Sequence, residues 1–176
     1  MVFAHDTELS LQAAVSLVNS AEPPDTLTSV SDLDAFFVRF AYTGRHDRDD
    51  AELDAVRRLR PRLRTLLTAD RDTAVGLVND LLGKARAVPR LVRHDGFDWH
   101  LHVVSPDSPL DQRVAAETAM AMIDVIRTDE MSRLGVCAQD DCEGIVLDLS
   151  RNRSKIFCDT ACSNRAAVAA YRARKR

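Results

Sequence analysis

Apolar positions recur at helical spacing through most of the first 130 residues and change to strict alternation once. Leu11, Val15 and Val18 share one face of a segment from Asp6 to about Ser20, with Asp6 or Thr7 placed to cap it and Glu22-Pro23-Pro24 to stop it. A second helix is expected after Ser31, whose spacing to Asp34 imitates a capping box. Leu33, Phe36, Phe37 and Phe40 form its apolar face, and Gly44 ends it. Asp49 to Leu67 carries acids early and arginines late, the order a helix dipole favours, with Leu53, Val56, Leu59 and Leu63 inward. Pro61 is expected to kink or divide this helix. Asp72 to Ala87 reads as a fourth helix that buries Val75, Val78, Leu81 and Leu82. Asp107 to Arg127, capped by Asp107 or Ser108, is apolar over more than half its circumference, which makes it the central helix.

The alternating stretch lies after Pro89. Leu91-Val92-Arg93 and the run from Phe97 to Val103 flank His94-Asp95-Gly96, a hairpin signal because Asp-Gly suits a turn with positive φ. Trp99, Leu101 and Val103 are assigned to one face, with Asp98, His100 and His102 on the outer one. Two histidines two apart on a strand can chelate a metal, with His94 as a third donor, but alternation alone accounts for them.

The last forty residues follow a different pattern. All four cysteines are there, Cys137, Cys142, Cys158 and Cys162, spaced C-x4-C, fifteen residues, C-x3-C. Two close thiol pairs across a hairpin-sized spacer can converge on one tetrahedral metal, and Zn²⁺ takes four thiolates at about 2.3 Å. Ala138 to Asp141 reads as a knuckle. Ile145, Val146, Leu147 and Leu149 form a short strand, Ser150 to Ser154 a turn, and Ile156-Phe157 the return strand. A helix beginning at Cys158 would turn Cys158 and Cys162 the same way, and the alanines from Ala161 to Ala170 carry it to the end. Knuckle, hairpin and ligand-bearing helix is the order of a treble-clef finger holding one structural zinc. The alternative is a pair of disulfides, which needs a secretory route. The amino terminus, Met-Val-Phe-Ala-His-Asp, lacks the basic and apolar regions of a leader, and no run of about 18 apolar residues offers a membrane span. A cytoplasmic protein is expected.

Charge sharpens the division. Residues 151–176 carry eight basic side chains against Asp159, a balance of +7, which leaves −10 on the first 150 residues of a chain whose net charge is −3. Arg151, Arg153, Lys155, Arg165, Arg172, Arg174, Lys175 and Arg176 thus form a basic module on an acidic body, suited to nucleic-acid phosphates or, more blandly, to a solvated tail. On the last helix Arg165, Arg172 and Arg176 fall within an arc of about 40°. Arg165 also lies in line with Cys158, where it can brace the metal instead. The Arg57, Arg58, Arg60, Arg62 and Arg64 cluster can be read as an anion site, but its positions spread around the axis, as on a packed and solvated helix.

The run Cys137-x4-Cys142, Leu147-Asp148-x-Ser150-Arg-Asn-Arg-Ser154, Phe157-Cys158-x3-Cys162-Ser163-Asn164-Arg165-Ala166 and Tyr171-x-Ala-Arg174 resembles the CGNR zinc-finger family. In that family the finger follows an N-terminal α/β domain called ABATE, and the proteins are described as candidate stress-induced bacterial transcription regulators. The stretch Leu11 to Ser20 resembles that domain's opening helix. There Asn19 either points into a ligand site or bonds backbone at the helix end. Ser163 replaces the glycine of the signature, which would be awkward at a positive φ, and Ala167 stands where members often carry lysine.

These readings define an α+β protein: a mainly helical N-terminal domain with a small β-hairpin, residues 1–130, followed by a treble-clef zinc finger, residues 131–176. Without a Gly/Ser/Pro-rich linker between them, the finger is expected to dock on the body. The expected function is DNA-binding transcription regulation, with DNA as partner and a small-molecule effector of the N-terminal domain. The alternative is a zinc-stabilised protein-interaction module, including a homodimer. No phosphate loop, metalloprotease motif or nucleophile constellation is present, so an enzyme is not expected.

Overall fold

The computed structural model describes residues 2–93 and 98–175. The expected His94-Asp95-Gly96 turn, with Phe97 after it, and Arg176 lie outside the described residues.

The central helix is α5 (Leu110–Arg127), and it packs against α1 (His5–Asn19), α3 (Asp50–Thr68) and α4 (Arg71–Ala85). Its buried residues, Leu110, Val114, Ala119, Met122 and Val125, meet Leu11, Leu17 and Val18 of α1 and Leu63, Leu66 and Leu67 of α3 in one hydrophobic core. With few aromatics available, small side chains set the spacing: Ala13, Ala14, Ala115 and Ala116 are buried where helices approach. Among the described residues no helix is long and apolar enough to cross a membrane.

Helix faces follow the apolar spacing better than helix ends do. The cap of α2 (Val30–Arg39) lies two residues before the expected one: Ser29 accepts from the Asp32 N–H, and the Asp32 carboxylate accepts from the Ser29 N–H, which completes a capping box. Ser29 precedes its acid by the three residues the box requires, as Ser31 does, so spacing alone did not separate them. Gly44 does not end α2. It sits at φ +84° after the helix, where a Cβ would meet the Pro106 carbonyl oxygen at 2.4 Å. Asp49 and Asp70 cap α3 and α4, whereas neither Asp107 nor Ser108 caps α5. Pro61 lies inside α3 without dividing it. In α4 Ala74, rather than Val75, is buried beside Val78 and Leu81.

Three of the five clustered arginines of α3 find carboxylates within the chain, and Arg58 and Arg62 are exposed. Arg60 is buried and bonds both Asp25 oxygens at 2.8 and 3.0 Å, Arg57 reaches the same residue, and Arg64 pairs with Glu22. The Arg60 hydrogen bond leads in holding the Asp25 carboxyl below its ordinary range.

Strands β1 (Arg90–Val92) and β2 (His100–His102) pair antiparallel, with Leu91 opposite Leu101. The assignment of faces is reversed from expectation. Leu91 and Trp99 are each 62% exposed, whereas His100 and His102 are half-buried, and Val103, beyond the strand, turns inward. Alternation sets the period of a strand but not which face meets the body. A second antiparallel pair joins β3 (Leu134–Val136) to β4 (Ile145–Leu147). β4 therefore pairs with the strand before the knuckle. Ile156-Phe157, expected as its partner, forms no strand, although the Ile156 carbonyl accepts from the Ala138 N–H at 2.9 Å. The last element is α6 (Thr160–Arg174).

Candidate metal centre

The β3–β4 pair presents Cys137 and Cys142 across the knuckle at its tip, and the chain returns through Cys158 to α6, which carries Cys162. All four Sγ atoms lie within 4.8 Å of one another. The Cys142–Cys158 and Cys158–Cys162 separations are 3.6 Å. A regular tetrahedron with bonds of about 2.3 Å has edges of about 3.8 Å, so these separations fit four thiolates around one zinc ion. They do not fit disulfides, whose sulfurs bond at about 2.05 Å, and all four cysteines are free thiols. A set of four sulfur donors is the chemistry of a closed, structural zinc site.

Backbone and side-chain donors face the sulfurs, as thiolates require. Gly144 N–H donates to Cys142, Cys158 N–H to Cys137, each at 3.4 Å, and Arg165 Nη2 to Cys162 at 3.1 Å. α6 begins at Thr160, so Cys158 precedes it. Asp159 caps the helix by accepting from the Cys162 N–H at 2.7 Å, and this bond is the leading cause of its lowered carboxyl pKa. Ser163 lies in α6 and outside the positive-φ positions, so serine fits the backbone where the family signature has glycine.

Gly144 is a site residue that the cysteine spacing did not point to. A Cβ there would sit 2.9 Å from Cys158 Sγ and 3.3 Å from Cys142 Sγ. Asp148 is another. It accepts from the backbone of Ser150 and Lys155, which folds the loop after β4. Burial opposes its charge, but Ser150, the Lys155 N–H and nearby Arg133 outweigh this and lower its pKa. Arg133, also buried, donates to the carbonyls of Asp148 and Ser150.

The expected basic residues divide into two groups. Arg165 is drawn to Cys162 and to Asp141 at 3.7 Å, which places it against the metal centre. Arg153, at φ 49°, bonds Glu130 at 2.8 Å. By contrast Arg151, Lys155, Arg172 and Arg174 are exposed and have no ion pair among the described residues. Lys175 lies over the Tyr171 ring. α6 itself is nearly uncovered, with Cys162 its one buried residue.

The β4 strand is anchored on the body. Ile145 and Leu147 belong to the main hydrophobic core. The Asn19 side chain accepts from the Ile145 N–H at 2.6 Å and donates to its carbonyl at 2.8 Å. Asn19 thus neither points into a ligand site nor bonds its own helix end; it completes the hydrogen bonding of a strand edge 126 residues away. His100 and His102 turn their Nε2 atoms toward each other at 3.1 Å, His94 is outside the described residues, and the cysteines are the metal-ligand group formed by described residues.

No curated protein matches the chain. Two family models do: the CGNR zinc finger matches residues 133–175, and ABATE, described as "Putative stress-induced transcription regulator", matches residues 11–129, well over half the sequence. The chain therefore belongs to the ABATE family and carries a CGNR zinc finger at its C-terminal end.

Proposed function

We propose that this protein is a cytoplasmic, DNA-binding transcription regulator and not an enzyme. Its zinc holds the finger in shape, α6 meets the DNA duplex, and the domain of residues 1–130 senses a ligand or a stress signal. The observation that carries this reading is α6: a fifteen-residue helix with one buried residue and a basic surface. A helix left uncovered by its own chain gains little from packing and calls for an external partner. A major groove about 12 Å wide accepts a helix of this kind. Arg151, Lys155, Arg172, Arg174 and Lys175 are the phosphate-contacting candidates, with Arg176 continuing the tail. Arg153 bonds Glu130 of the body, and Arg165 faces Cys162 within the finger. Four unpaired thiols agree with a reducing compartment.

A second reading, docking on a protein or on a second copy of this chain, is favoured by Ile156, Val168 and Tyr171, which are 54%, 49% and 53% exposed. Fluorescence anisotropy of a labelled mixed-sequence duplex, titrated with zinc-loaded protein at several salt concentrations, separates the two. DNA binding predicts an affinity that falls with salt by a log–log slope of about −0.9 per neutralised phosphate, and a shallower slope by about two for the R172Q/R174Q double variant. No binding at low salt transfers the assignment to the protein-interaction reading.

A further inference from the structure

The N-terminal body contains a cavity of about 240 Å³, apart from the metal centre and α6. α1, α5 and β2 wall it, and Leu9, Ala13, Met120, Ala121 and Val103 give it an apolar interior. An apolar cavity of about 150 Å³ holds a benzene ring, so this one has room for a bicyclic skeleton.

Charge on the wall is unbalanced. Asp6, Asp98, Glu117 and Asp124 contribute carboxyls, Arg113 is the guanidinium among them, and His5, His100 and His102 add imidazoles. Arg113 is committed elsewhere, donating to the backbone carbonyls of Thr43, Arg45 and Ser108. Asp6 accepts from the N–H groups of Thr7 and Leu101, Asp124 accepts from the Thr7 hydroxyl at 2.6 Å, and Asp98 faces Arg93 at 3.6 Å. Glu117 differs from these three, because no hydrogen-bond donor among the described residues reaches its carboxyl. Burial pushes that carboxyl up to about 7 against the pull of Arg113. The neighbouring Tyr42 phenol is held well above its ordinary value by burial and then by the Glu117 charge, so it remains neutral. An ionised carboxyl without a donor is costly in such a wall, and a ligand that brings both a positive charge and N–H groups removes that cost.

We propose that this cavity is an effector site for a small organic amine: a compact, largely aromatic body seated against α1 and α5, with its ammonium group bonded to Glu117. The site deepens the sensing role proposed above and rests on it for its regulatory meaning, although binding itself involves no DNA. α1 supplies the physical link, since its first half lines the cavity and its last residue, Asn19, holds β4 of the finger.

Isothermal titration calorimetry of the zinc-loaded full chain with tryptamine and with indole-3-acetate tests the assignment. The probes share an indole ring and carry opposite charge. Saturable tryptamine binding is expected, with indole-3-acetate weaker by about tenfold or more and Glu117→Gln weakening tryptamine by a similar factor. Absence of tryptamine binding, equal affinity for the two probes, or an unchanged affinity in Glu117→Gln would overturn the proposal. The wild-type comparison stands without the variant, and with no DNA in the cell its failure is distinguishable from failure of the DNA-binding reading.

Discussion

At Gly144 the backbone passes so close to two zinc ligands that a single methyl group has no room. The residue is outside the left-handed region, so the constraint is space and not backbone strain. Gly144→Ala is expected to displace Cys158 and to lower zinc affinity by about tenfold to a hundredfold, read by chelator competition. Wild-type affinity in that variant would mean that the ligand loop shifts freely. Glu117 makes a different prediction. Its folded pKa of about 7 exceeds the ordinary 4.5, so between those values the folded state holds a proton that the unfolded state has lost. The stabilisation is complete below about 4.5 and is lost as pH rises toward 7. Denaturant titrations across that window are expected to show a decline in wild type, about 3 kcal/mol at the upper limit, that Glu117→Gln removes. Equal slopes in the two proteins would contradict a carboxyl whose proton the folded cavity wall retains. The four metal ligands were legible because thiol spacing encodes their chemistry directly. Gly144 and Glu117 were not, because their roles depend on which distant atoms fold against them.

The helices were legible as elements because an apolar stripe every three to four residues is a local property. Their ends were less so: Ser29 and Ser31 each stand three residues before an acid, and the capping box forms at Ser29. The hairpin shows a related limit, since alternation left the inward face of β2 open and the structure turns His100 and His102, not Trp99, toward the body. β4 shows a third. Its apolar residues read as one strand of a finger hairpin with Ile156-Phe157, yet they pair with β3 and fill the main core. The clamp at its edge can be tested alone. Asn19→Ala removes two hydrogen bonds and leaves the Ile145 N–H and carbonyl unpaired, a loss of about 2 kcal/mol. Hydrogen exchange is expected to accelerate at Ile145 and at the neighbouring finger amides more than in α5. Unchanged protection there would show that core burial alone holds the strand.

For the molecule as a whole, the charge division read from the sequence corresponds to a physical one. The acidic body is closed around α5 and commits Arg57, Arg60 and Arg64 of α3 internally, on Asp25 and Glu22. The finger leaves Arg151, Lys155, Arg172 and Arg174 exposed and without an ion pair among the described residues. The Ile145–Leu147 strand joins the finger to the core of the body, and the four-cysteine set fixes the start of α6 within the finger, so α6 projects from a packed base. In the proposed function this projecting helix is the DNA-contacting element. Amide chemical-shift mapping of the zinc-loaded, ¹⁵N-labelled protein during titration with a short duplex tests it most directly. The largest perturbations are expected on residues 160–175 and the adjoining loop around Arg151 and Lys155, with little change in α3 and α5. Perturbations centred on the helical body, or none at low salt, would contradict it.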